Sequence, residues 1–147
     1  VSSSHFLGLE EQLKDRLRAG LDAALMTHVR LYSVTALPEG TLPTPSLLML
    51  FDGYSITERS STGKHARISQ NWLVFVCTRS AADIKSGEAS RSLAGAIADV
   101  VLTALMGWQP DGCTKPLQLT NPPKADYDDG FFYLPVAVEA ELLRKTP

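Results

Sequence analysis

The sequence of 147 residues predicts an α+β fold, a single mixed or antiparallel sheet with two helices packed on it, in the order α-β-β-β-α-β(β). Three observations predict it. Leucine recurs every four residues near the start, and a second apolar stripe of helical period lies beyond the middle of the chain. Around these stripes lie short apolar or alternating runs of strand length, separated by Gly- and Pro-containing stretches. No repeat and no internal linker divides the chain, so residues 7–147 read as one domain. Residues 1–6, beginning Val1-Ser2-Ser3-Ser4-His5, read as a disordered terminus or tag remnant.

The first helix is expected over residues 9–26. Leu9, Leu13, Leu17, Leu21 and Leu25 form its apolar stripe, and Glu11, Lys14, Asp15, Arg18 and Asp22 its wet face. Residues 29–34 alternate and predict a strand. Residues 37–45 hold three prolines and a glycine, which remove backbone donors and predict an exposed arm. Residues 46–51 include five apolar residues in succession, the pattern of a strand buried on both faces. The polar stretch 54–67 predicts a long hairpin tip or mobile loop. Residues 68–78, apolar on both faces around Trp72, Val74 and Val76, predict the central strand.

A second helix is expected over 87–106, with Ser86 as N-cap, Gly107 as C-cap and a stripe of Leu93, Ile97, Val100, Val101, Ala104 and Leu105. Ala94, Gly95, Ala96 and Ala98 keep it slim. After an irregular stretch with at most a short strand at 117–119, the last strand alternates cleanly. Leu134, Val136, Val138, Ala140 and Leu142 face one way, and Tyr133, Pro135, Ala137, Glu139 and Glu141 the other. Pro135 lacks a ladder donor and predicts an edge position.

The chemistry of an enzyme is missing from this pattern. His5, His28 and His65 are scattered at spacings that suit no metal and no nucleophile–base pair. Asp126, Asp128 and Asp129 lack the alternating oxygens and closing glutamate of a calcium loop and read as a solvated turn. Ser61-Thr62-Gly63-Lys64 lacks the first glycine and the following hydroxyl of a phosphate-binding loop. Cys77 falls in an apolar run and Cys113 in a Gly/Pro-flanked loop, which match no disulfide, metal or redox motif and suit a cytoplasmic setting. No run approaches the ~18 apolar residues of a membrane span. No catalytic residue, cofactor or metal site is therefore expected.

The net charge of −2 speaks against a dedicated nucleic-acid binder. Its distribution is uneven. Residues 54–91 carry six Lys/Arg against three acids, and residues 92–147 four against seven. Two solvated faces explain this blandly, whereas a basic patch meeting an acidic patch on the next subunit would suit a head-to-tail ring.

Several features in series resemble the tail-terminator family of Mu-like and related phages, similar in role to the lambda minor tail protein U. They are Asp52-Gly53-Tyr54 closing a buried strand and Gln70-Asn71-Trp72-Leu73-Val74-Phe75-Val76 ending near Arg79. After these come an Ala/Gly-containing helix running into Leu105-Met106-Gly107-Trp108-Gln109-Pro110, then Lys115-Pro116-Leu117 and a late alternating strand. The likeness spans roughly residues 7–143.

This resemblance implies a non-catalytic phage or prophage subunit, assembled in the bacterial host cytoplasm and located in the virion tail. It would form a ring, typically a hexamer, that caps the tail tube and presents the surface for head–tail joining. The implied partners are further copies of itself, the tail-tube protein and a head-completion or connector protein, with transient sequence-independent contact to DNA. The alternative is a head–tail connector or tail-completion protein of the virion. Tyr54, Arg59, Lys64, His65, Arg67, Glu139 and Glu141 are the expected oligomer or tube interface.

Overall fold

A computed structural model describes residues 5–37, 42–79, 87–128 and 130–147. Helix α1 (Leu9–Ala23) forms where the leucine stripe is, and it buries Leu9, Leu13, Leu17 and Leu21. Each four-residue step advances about 40° around a helix of 3.6 residues per turn, so a stripe of this spacing drifts off the buried face. Leu25, expected to continue it, is 86% exposed. It follows the helix in a left-handed conformation (φ 60°), within a turn in which the amides of Leu25 and Met26 donate to the carbonyls of Asp22 and Leu21. Arg18 ties down this turn, donating to the carbonyls of Val29 and Met26 while paired with Asp22.

Strand β1 (Arg30–Ser33) is followed by β2 (Ser46–Arg59), β3 (His65–Arg79), helix α2 (Glu88–Leu105), and strands β4 (Gln118–Thr120), β5 (Asp126–Asp128) and β6 (Phe131–Lys145). One mixed six-stranded sheet results, in the order β1-β2-β3-β6-β4, with β5 also paired to β6. β1 and β2 are parallel and the remaining pairs antiparallel. β3 is central, as its two-sided apolar middle predicts.

β6 is not an edge strand. It pairs with β3 along its whole length, and β4 and β5 lie on its other side. Pro135 is accommodated because β4 covers residues 137–139 and β5 covers 131–133, so the missing N–H falls beside the gap between them. The alternation that suggested a wet face reflects a face that is apolar at one end of the strand and charged at the other.

Both helices cover one face of the sheet. Their core joins the α1 leucines, Val29, Leu47, Met49, Trp72, Val74, Val76, Ile97, Val101, Leu105, Val136, Val138 and Ala140. Ser90, Ala94 and Ala98 are the small buried residues that let α2 lie close, and the Thr78 hydroxyl donates to the Ser90 carbonyl. Leu93 lies on the flank and is exposed. Gly20 lies where the helices cross, and a Cβ there would stand 3.2 Å from that of Ala104, a tight contact that larger residues would meet only by shifting the neighbour. Arg16 reaches across to the Ala104 carbonyl and lies over the Trp108 ring. The expected cap Ser86 lies outside the described residues, and Gly87 occupies the cap position. Gly107 (φ 75°) follows an extended Met106 in a turn closed by the Trp108 amide on the Leu105 carbonyl.

The other face holds a second cluster of Leu48, Leu73, Phe75, Cys77, Phe131, Tyr133 and Ala137. Tyr32, Val34, Leu37 and Leu42 pack on it, so the ends of the segment expected to be an exposed arm lie against the sheet. Parallel strands need a crossover over one face of the sheet. The helices occupy one face, and the described residues of this connection lie against the other.

Candidate assembly surface

The structure resolves the polar stretch 54–67 mostly into strand. β2 and β3 form a long hairpin, and only residues 60–64 make its turn. Polar sequence hid this because a solvated two-sided strand carries no apolar alternation. The turn is held by the Ser60 amide donating to the His65 carbonyl and the His65 amide donating to Ser60 Oγ, with Gly63 in the left-handed region. Two register shifts displace β2 against β3, one between Phe51 and Tyr54, where Gly53 has φ 92°, and one between Ile56 and Glu58. Such bulges sharpen the twist and turn the strand edge away from simple pairing.

Beyond Phe51, then, β2, β3 and β6 form a three-stranded tongue. β1 reaches only Met49 of β2, so among the described residues no strand covers the outer side of β2 from residue 50 onward. On the helix side of the tongue, Gln70 is fully buried, donating to the Phe6 carbonyl at 2.7 Å and accepting from Trp72 Nε1 at 3.1 Å. The Phe6 ring meets Tyr54 edge-on at 5.1 Å. Leu7, Tyr54 and Ile56 remain exposed, an apolar strip at the open edge.

On the opposite side, strand register decides the electrostatics. Arg67 stands opposite Leu143 on β6, next to Glu141, and its guanidinium pairs with Glu141 at 3.0 Å and with Glu58 at 3.4 Å. Glu141 also receives the Thr114 hydroxyl and lies 3.6 Å from Lys115 Nζ. The Thr114 hydrogen bond, with Lys115 and Arg67 behind it, holds the Glu141 carboxyl below its ordinary range. Glu139 lies one step along the same face, in register with Asn71 and Gln118. Two of the predicted interface residues, Arg67 and Glu141, thus meet each other within the chain.

Arg59, Lys64 and His65 gather at the end of the tongue, and Tyr54 lies apart on the helix side. Sequence reasoning missed Arg144 and Lys145, which the β3–β6 register sets beside Ala66 and His65, and also missed Lys115, Thr114 and Glu58. Only the pairing of β3 with β6 exposes this grouping. No local motif marks it.

The rest of the surface offers little chemistry. A groove of about 540 Å³ between α1 and α2 is lined by Ala19, Gly20, Ala23, Val100 and Ala104, with Arg16 and Asp99 as its charged members. Cys77 and Cys113 are buried, and burial pushes both thiols up to about 11. Burial likewise pushes Tyr133 up to about 12. Asp126 and Asp128 stand exposed on β5, not in a turn, and Asp129 lies outside the described residues. Among the described residues no group of three or more His, Cys, Asp or Glu side chains is placed to hold a metal. Among the described residues no helix is long and apolar enough to cross a membrane.

Comparison with known proteins completes the picture. A search of curated proteins finds no match. In a solved structure of the virion of a native gene transfer agent particle, one chain shares this fold with a TM-score of 0.57 and 22% identity. The likeness covers 89% of this chain and 91% of that one. The phage tail terminator protein family matches residues 13–146, nearly the whole domain and close to the extent of the resemblance seen in the sequence. This chain belongs to the phage tail terminator family, which makes it a structural component of a phage-type tail.

Proposed function

We propose that this chain assembles into a ring, a hexamer, that caps the completed tail tube and presents the surface for head–tail joining. The family match over residues 13–146 carries the reading. Support comes from the asymmetry of the fold. A closed ring is built from two different patches per subunit, and this sheet has β1 and the uncovered outer side of β2 at one edge and the short strands β4 and β5 at the other.

The tongue, with Tyr54, Arg59, Lys64, His65, Arg67, Glu139 and Glu141, is the proposed contact region. The strip formed by Leu7, Tyr54 and Ile56 supplies its apolar part, since aromatic and apolar anchors dominate protein contacts. Its partners are a neighbouring copy, the tail-tube protein and a head-completion or connector protein. In this reading the protein assembles in the cytoplasm of a bacterial host and performs no catalysis.

Adding the chain to polymerising tail-tube protein tests the proposal. A terminator arrests growth and yields tubes of fixed length bearing a ring at one end in negative-stain images. Tubes that keep growing in its presence would remove the capping role and favour the connector alternative. Replacement of Tyr54 and Ile56 by serine should weaken capping by about five- to thirtyfold in concentration if the strip supplies about 1–2 kcal/mol.

A further inference from the structure

Residues 5–8, ahead of α1, form a turn that docks on the base of the tongue. The Gly8 amide donates to the His5 carbonyl at 3.0 Å and the Glu10 amide to the Leu7 carbonyl at 3.2 Å. The Leu7 amide donates to His5 Nδ1 at 3.2 Å. Phe6 packs against the main core, whereas Leu7 is 40% exposed. The turn is fastened to the sheet by Gln70, whose side-chain amide donates to the Phe6 carbonyl at 2.7 Å. Gln70 is fully buried, and its side-chain oxygen already accepts from Trp72 Nε1. A buried amide donor without an acceptor is costly, so Gln70 favours the docked turn. Apolar packing alone would let such a segment slide, but this bond selects one register. With the Phe6 carbonyl on Gln70, the Phe6 ring meets Tyr54, which stands opposite Gln70 across the β2–β3 pair, and the next side chain is Leu7.

We propose that Gln70 is a positioning residue of the assembly surface: by latching the 5–8 turn it joins Leu7 to Tyr54 and Ile56, and the apolar strip is complete only while the turn is docked. This latch regulates the contact region proposed above and rests on that reading. Beyond Gly53, β2 offers just Tyr54 and Ile56 among polar residues, a small area for a contact that must exclude water. The docked turn adds Leu7, and Phe6 beside the Tyr54 ring limits its freedom. A surface ordered in the free chain avoids that ordering cost when a partner arrives. Undocking has the opposite effect on each group. It leaves the Gln70 amide without its acceptor, strips the Phe6 ring from Tyr54 and withdraws Leu7. The start of α1 and the open edge of β2 therefore act as one composite surface, joined through a side chain that no partner touches.

Two measurements on the full chain test this. Hydrogen exchange at the Leu7 and Gly8 amides reads docking, and the concentration needed to cap tail tubes reads the surface. Gln70→Met keeps the length of the side chain and removes its donor. Exchange at Leu7 and Gly8 should then rise by at least about tenfold while the amides of α2 keep their wild-type rates. Capping should need about fivefold more protein, as it should for Leu7→Ser. The two changes together should cost no more than either alone, because an undocked turn no longer presents Leu7. A Gln70 that served packing alone would leave the Leu7 effect intact, so a multiplied loss of about twenty-five-fold overturns the proposal. Unchanged exchange in Gln70→Met overturns it as well. That variant also takes the acceptor from Trp72 Nε1, so Phe6→Ala, which leaves the Gln70–Trp72 bond alone, runs the same cycle with Leu7→Ser and serves if Gln70→Met does not fold. Additive losses there count against the latch in the same way. Failure of the wild type to cap tubes would remove the capping role and the strip's part in it, while the exchange rates decide the latch by themselves.

Discussion

The two ends of the central strands contrast sharply. From Leu47 to Phe51 on β2, and along the facing parts of β3 and β6, side chains are covered by helices on one face and by Tyr32, Val34, Leu37 and Leu42 on the other. Beyond Tyr54 the β2 side chains stand in water while Ile68, Gln70, Ala140 and Leu142 keep the helix side of β3 and β6 buried, and Gln70, the Arg67–Glu141 pair and a tight turn fasten the strands. Burial supplies most of the stability of a fold, so the covered half can hold the domain together. The tongue, relieved of that task, is free to carry exposed charge and apolar anchors. Two-sided burial and exposed charge thus occupy different stretches of single strands.

Breaking the covered half should have the largest effect. Trp72 is 1% exposed, packs on Phe51 at 5.0 Å and donates to Gln70. Trp72→Ala is expected to cost about 3–5 kcal/mol, read from the shift in urea midpoint. A loss below 1 kcal/mol would show that the core does not depend on this ring.

The two cysteines sharpen the contrast, because Cys77 lies in the covered half and Cys113 bridges to Leu142 at the base of the tongue. Both thiols are buried, so alkylation requires opening. Cys113 should react faster by about tenfold or more, since regions with less burial open without global unfolding. Mass-resolved labelling rates check this, and equal rates would mean that the tongue and the covered half open as one unit.

The smallest effect concerns the charge network. Glu141 has a folded pKa below its unfolded value, so its stabilisation is present above the unfolded pKa and is lost as pH falls through the folded one. Glu141→Gln should cost about 1 kcal/mol at neutral pH and should flatten the acid limb of the stability–pH profile. An unchanged acid limb would show that Glu141 is not the titrating group there.

The α+β class, both helices, the central strand and the burial of Cys77 and Trp72 were legible from periodicity alone, because each depends on which side chains must leave water. The family resemblance was legible from ordered short segments, and the family match bears it out. Three features were not. Residues 54–59 read as a hairpin tip or mobile loop, and their place in a long strand stayed hidden because a solvated strand has no apolar period, while the short β5 carries too few residues to show one. Pro135 suggested an edge because a missing donor is visible in sequence, whereas the gap between β4 and β5 that absorbs it is not.

The charge blocks show the same division. The sequence by itself determined that basic residues cluster in the middle of the chain and acidic ones toward its end. Only the tertiary structure decided that Glu141 would neutralise Arg67, and that Arg144 and Lys145, from the acidic stretch, would join Arg59 and Lys64 at the tip. The physical reason is register. Antiparallel pairing brings residues nearly eighty positions apart to within a few ångströms, and Coulomb energy depends on that distance, not on separation along the chain.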